Sequence, residues 1–176
     1  MSEYRKTAVG ELYFVTLTVV GWIDVFSRKE YKDILVENLK HCQEKEGLEI
    51  YCYVIMSNHV HLIVRLTDKD LTELLGRLKS YTAKKIIAAV EENTKESRKD
   101  WLLYLFNYFA KSSKQYSKYH YWQYTNHPTP LYTPEVTQQK IDYIHMNPVR
   151  AGIVIESDKY LYSSACSESP LRVVER

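Results

Sequence analysis

Two apolar, β-branched runs sit almost back to back in this chain. "LEIYCYVIM" begins at Leu48 and "HVHLIVRL" begins at His59, with only Ser57-Asn58 between them. So short a polar break between two strand-like runs predicts a tight hairpin. Its surroundings narrow the fold further. Upstream, "LYFVTLTVV" from Leu12 reads as a strand that Gly21-Trp22 ends. Between it and the hairpin, "KEYKDILVENLKHCQEKEG" places Tyr31, Ile34, Leu35, Leu39 and Cys42 at helical spacing, with Gly47 as a stop. Downstream, Asp70 caps a predicted helix over "LTELLGRLKSYTAKKIIAAVEEN", with leucines at 71, 74, 75 and 78.

"TKESRKD" from Thr94 is a polar break. "WLLYLFNYFAK" then predicts a short buried helix, and "YHYWQYT" a strand. Prolines at 128, 130 and 134 delay the next regular element until Thr133 caps a helix with Pro134 at its first position. That helix is expected to end near Asn147, because Pro148 disfavours helix in its predecessor. The order is βαββαβ. It predicts an α+β, ferredoxin-like antiparallel sheet with helices on one face, followed by a C-terminal helix and tail. The other face is then expected to be open for a site. No repeat or linker divides the 176 residues, so one domain is expected over 1–176, with 167–176 a poorly ordered tail.

The bulk numbers exclude little. A net charge of +2 neither announces nor forbids a nucleic-acid partner. No apolar run is long enough for a bilayer, and "MSEYRKTAVGELYFV" lacks the apolar core of a signal peptide. Cys42, Cys52 and Cys166 form no CxxC pair. They read as reduced thiols, and the expected location is cytoplasmic.

His59 and His61 are two apart on one strand and so share a face, their Cα atoms roughly 6.6 Å apart. Two imidazoles at that spacing can each give one nitrogen to a metal ion, or can be two surface histidines. A third ligand decides between the two. On the helix from Pro134, at 100° per residue, Gln139, Lys140 and Asn147 lie within about 60° of Tyr143. Ile141, Ile144, Thr137 and His145 lie on the far side. Asn147 is one turn beyond Tyr143, at the helix end whose dipole favours cations. An amide oxygen there would complete a His, His, Asn set for Mg²⁺ or Mn²⁺. A tyrosine beside such an ion could attack a phosphodiester, its proton passing to Lys140 or to a bound water. Tyr143 is also one of sixteen tyrosines, and the residues alone leave both readings open.

"YVIMSNHVHLIV", followed some way on by "KIDYIHMNPVRAGIV" and then "YLYSSA", resembles the single-tyrosine HUH transposases. Within that family it is most similar to the REP-associated tyrosine transposase branch. The resemblance covers nearly the whole chain, from "GELYFVT" onward. It implies metal ligation by His59, His61 and Asn147, with Tyr143 as the nucleophile. It implies a metal-dependent endonuclease and strand transferase acting on single-stranded DNA beside hairpins, through a 5′-phosphotyrosine, with no energy cofactor. It places DNA contacts at Tyr4, Arg5 and Lys6, in an N-terminal segment, and at Arg150. It leaves the protein a monomer or a homodimer, the dimer expected through the sheet edge. Lys79, Lys84 and Lys85 read as a solvated helix face. Rings near Trp122 could stack on bases or belong to the core. The lysine-rich region 94–118 departs from the family pattern. Two other readings bear on the chemistry. A histidine-triad nucleotide hydrolase needs a third histidine where Ile63 stands. A domesticated relative could bind hairpin DNA without cutting it.

Overall fold

A computed structural model describes residues 7–113, 118–124 and 128–174. The elements are β1 (Leu12–Thr18), α1 (Lys29–Glu46), β2 (Leu48–Ile55), β3 (His59–Leu66), α2 (Leu71–Glu92), α3 (Lys99–Lys111), β4 (Thr129–Pro130) and α4 (Pro134–Arg150). The sheet is antiparallel in the order β2-β3-β1-β4, the ferredoxin-like arrangement expected from the element order. Ser57 and Asn58 form the hairpin turn, closed by the Met56 N–H donating to the His59 carbonyl at 2.8 Å.

The helix boundaries follow their local chemistry. Gly47 adopts the left-handed conformation (φ 75°) that ends α1, and its N–H donates to the Cys42 carbonyl. The Asp70 carboxylate accepts from the Thr72 N–H at the start of α2, and Leu71, Leu74, Leu75 and Leu78 are all buried. Thr133 caps α4 by accepting from the Val136 N–H.

Five expectations are corrected. The second face of the sheet is not open. Helix α4 packs on β2 and β3, so Ile63 is fully buried and His61 is only 5% exposed. Helix α4 also runs through Pro148 to Arg150. A proline so close to the end sacrifices a single N–H, and the following Ala151 N–H still reaches the Asn147 carbonyl. Helix α3 is amphipathic rather than buried. Leu102, Phe106 and Ala110 face inward, while Trp101, Tyr104 and Tyr108 are exposed. Finally, "YHYWQYT" contributes one bridge, Val19 to Trp122, and the fourth strand forms later, at Thr129–Pro130 against Tyr13 and Phe14. Pro128 just before it and Pro130 within it suit so short a strand at an edge. Trp122 itself is core, its indole N–H donating to Thr82 Oγ1 at 3.0 Å. Lys79 is likewise not a solvated charge. It is largely buried and donates to the Gln123 carbonyl, and desolvation pulls its ammonium down to about 8.

After α4 the chain returns along β2. The Ile55 N–H donates to the Tyr162 carbonyl, and the Ser164 N–H to the Tyr53 carbonyl. Farther on, Leu171 is buried and the Val174 N–H reaches the Ile50 carbonyl. Among the described residues no helix is long and apolar enough to cross a membrane.

Candidate active site

The register of β1 against β3 sets Thr18 opposite His59, Thr16 opposite His61 and Phe14 opposite Ile63. Alternation then puts Phe14, Thr16, His59 and His61 on the face that α4 covers. The two imidazole rings are 4.7 Å apart, centroid to centroid. Tyr143 descends onto them from α4. Its hydroxyl is 3.5 Å from His61 Nε2, a long contact, and its ring is 5.2 Å from the His61 ring. Phe14 stacks on His61 at 5.3 Å and meets Tyr143 edge-on at 6.2 Å. The tyrosine is 37% exposed, so part of its side chain reaches solvent.

The polar atoms around this cluster fix which way each nitrogen and oxygen faces. His59 Nδ1 lies 2.7 Å from Asn58 Oδ1. An amide oxygen only accepts, so the imidazole proton sits on Nδ1 and Nε2 keeps its lone pair. Asn58 is fixed in turn, because its Nδ2 donates to Asp24 Oδ1 at 2.9 Å and to the Trp22 carbonyl at 3.3 Å. His61 Nδ1 is 2.8 Å from Thr16 Oγ1, which leaves its Nε2 toward Tyr143. Asn147 Nδ2 donates to the Tyr143 carbonyl at 2.8 Å, which leaves Oδ1 as the acceptor for other partners. Asn147 also hydrogen-bonds His59. The three residues expected as ligands are thus together, with His61 Nε2 turned toward the Tyr143 hydroxyl and the Asn147 side chain hydrogen-bonded to His59.

Burial keeps both imidazoles neutral at physiological pH. His61 is pushed down to about 3, mainly by desolvation, then by His59 and by the Lys140 charge. Desolvation also lowers His59, opposed by its hydrogen bond to Asn147. Neutral imidazoles are the form that binds metal. This donor set fits a mixed N/O site for Mg²⁺ or Mn²⁺. Among the described residues no three His, Cys, Asp or Glu side chains cluster to hold an ion.

Two cations flank the tyrosine. Lys140 Nζ lies 5.6 Å from the ring centroid and 4.5 Å from that of Phe14. The Arg150 guanidinium carbon lies 5.7 Å from the tyrosine ring. Tyr4, Arg5 and Lys6 lie outside the described residues.

A further cluster holds the tyrosine helix in place. His145 Nε2 is 3.2 Å from Cys52 Sγ on β2 and 2.9 Å from Ser164 Oγ in the returning tail. Burial raises the Cys52 thiol to about 12, so it stays protonated. This contact ties the "YIHMNP" and "YLYSSA" segments to one strand. Sequence reasoning missed Asn58, Thr16, Asp24, Phe14 and His145 as parts of the site. Only Asn58, beside His59 in a turn, carried a usable signal.

The family of IS200-like transposases matches residues 19–127. Among solved structures, a REP-associated tyrosine transposase bound to a REP hairpin superposes with a TM-score of 0.62 at 20% identity. That match covers 93% of this chain and 82% of the other. A protein from Deinococcus radiodurans R1, described as a candidate transposase, covers 81% of this chain and 94% of its own at 16% identity and a TM-score of 0.45. No curated protein matches the chain.

Proposed function

The chain belongs to the IS200-like transposase family, and on that premise we propose that it is a metal-dependent nuclease and strand transferase that cuts single-stranded DNA beside hairpins. The observation that carries the reading is the tyrosine hydroxyl 3.5 Å from His61 Nε2, above two paired imidazoles of which His59 is hydrogen-bonded to the Asn147 amide. Tyr143 Oη attacks the scissile phosphorus. A Tyr–O–P bond forms, and the bond from phosphorus to the 3′ oxygen breaks. The phenol loses its proton and the departing 3′ oxygen gains one, so the products are a 5′-phosphotyrosine and a free 3′-hydroxyl. The reverse attack rejoins strands without an energy cofactor.

His59, His61 and Asn147 would hold Mg²⁺ or Mn²⁺, whose charge stabilises the transition state at a phosphate oxygen. Phe14 and His61 pack the tyrosine ring, and Lys140 and Arg150 supply positive charge where the backbone would lie. The hairpin partner is supported by the structural neighbour, which was solved on such a DNA. Tyr4, Arg5 and Lys6 are assigned to the same DNA on their sequence position.

The test is a pool of labelled single-stranded hairpin DNAs with tails, incubated with the protein and Mn²⁺ and run on a denaturing gel. A covalent protein–DNA band that EDTA abolishes is the expected result. Binding of the pool with no such band in Mn²⁺ would instead make the protein a hairpin binder that does not cut.

Asn58 gives a second test, because it orients a metal-binding imidazole. Such outer partners are worth about 10- to 100-fold in metal affinity. Asn58→Ala is expected to weaken Mn²⁺ binding by that factor in calorimetric titration, with the circular dichroism spectrum unchanged. Undiminished Mn²⁺ affinity would remove Asn58 from the site.

A further inference from the structure

Where β1 leaves the sheet, Gly21 and Trp22 both adopt positive φ, at 61° and 56°. Trp22 is the only non-glycine to do so among the described residues. A bulky L side chain pays for that conformation, so the surroundings must impose it. They do so from three directions. A Cβ on Gly21 would lie 2.5 Å from the Phe109 ring of α3, so the turn is pressed against that helix at a point only glycine fits. The Trp22 N–H donates to the Val19 carbonyl at 3.0 Å. The Trp22 carbonyl accepts from Asn58, the same amide that orients His59.

The constrained turn leaves the indole 57% exposed, with its ring edge-on to His59 at 5.7 Å. A large flat ring is thus fixed at the rim of the site with more than half of the residue's surface free. Resting on the cleavage reading above, we infer that Trp22 is the stacking platform for an unpaired base next to the scissile phosphate. The chemistry suits that occupant. Every base offers a π-face, a rigid indole loses little freedom on stacking, and a phosphate near His59 would leave its neighbouring base within reach of the ring. Trp22 is therefore a positioning residue that sets where on the strand Tyr143 acts.

The experiment uses a hairpin DNA with a single-stranded thymidine tail that carries 2-aminopurine at one position per oligonucleotide, bound in EDTA. The expected result is a quench confined to one tail position. It should be lost in Trp22→Asn, whose side chain tolerates positive φ, and kept in Trp22→Tyr. Trp22→Asn should also bind the tail roughly 5- to 100-fold more weakly. In the unmutated protein, 5-iodouracil at the quenched position should photo-crosslink to the peptide containing Trp22, a readout that does not depend on a variant folding. An unchanged quench profile in Trp22→Asn, or a crosslink to another aromatic such as Trp101 or Tyr104, overturns the inference. Quenching by Trp22 without any covalent product under Mn²⁺ would support the platform and sink the cleavage reading. A covalent product with an unaltered profile would do the reverse.

Discussion

Tyr143→Phe is expected to eliminate the covalent protein–DNA product, with the cleavage rate down by roughly 10⁴-fold or more, as when other enzymes lose their nucleophile. Hairpin DNA affinity should stay within about twofold. The substitution removes one oxygen whose nearest polar partner in the site, His61 Nε2, is a long 3.5 Å away. The ring keeps its contacts with Phe14 and His61, and Lys140 and Arg150 keep their place over it. Loss of so weak a bond from a part-exposed side chain costs at most about 1 kcal/mol, so the thermal midpoint should barely move. Single-turnover cleavage on a denaturing gel, with gel-shift affinity alongside, checks both halves. Persistence of the covalent band in Tyr143→Phe would move the nucleophile to another tyrosine, with the highly exposed Tyr132 first to be mapped.

Glu96→Gln should have the largest effect on stability. The Glu96 side chain has no solvent exposure and joins three parts of the chain. It accepts from Arg28 Nε at 2.8 Å, from the Arg98 N–H at 3.0 Å and from Arg98 Nε at 3.1 Å, and from the Tyr31 hydroxyl at 3.3 Å. Removing the charge leaves two arginines facing a neutral amide. The full penalty for breaking a buried pair is about 3–5 kcal/mol. Both arginine side chains keep about a third of their exposure, so the low end applies, about 3 kcal/mol, or roughly 8 °C in midpoint. The two arginines hold the Glu96 carboxyl below the usual glutamate range, against desolvation that pushes it up. A depressed carboxyl stabilises the fold above its unfolded pKa, and that stability is lost as pH falls through the folded value. The gap between native and Glu96→Gln midpoints should therefore be full near neutrality and close below about pH 4. A gap that holds constant down to pH 3 would show that packing, not charge, does the stabilising.

That carboxylate also shows where the sequence stops being readable. Glu96 stands in "TKESRKD", a run that reads as a solvated break because its burial depends on Arg28, far back in the chain. Periodicity exposed the hairpin, α1, α2 and the polar face of α4, since each is local in sequence. The ferredoxin-like order followed from them. Tyr143, Asn147, His59 and His61 were legible as one constellation because strand alternation and helix rotation each fix a direction. What surrounds them was not. Thr16 meets His61 through the β1–β3 register, and Asp24 meets Asn58 across 34 positions. The same limit explains the face expected to be open. Nothing in the β3 pattern says that α4 would lie on it, although Val60 and His61 are both buried.

The returning tail has a consequence for assembly. An outer β-strand normally presents unpaired N–H and C=O groups that recruit a strand from another chain. Along β2 those groups are already engaged within the chain. The Ile50 and Tyr53 carbonyls accept from Val174 and Ser164, the Tyr53 N–H donates to Ser164 Oγ, and the Ile55 N–H donates to Tyr162. The chain's own tail therefore occupies part of this rim, where a strand from a second copy would otherwise pair. Among the described residues the other rim is β4, a two-residue strand containing a proline. The dimer expected through the sheet edge thus loses its longer docking strand to the molecule's own tail.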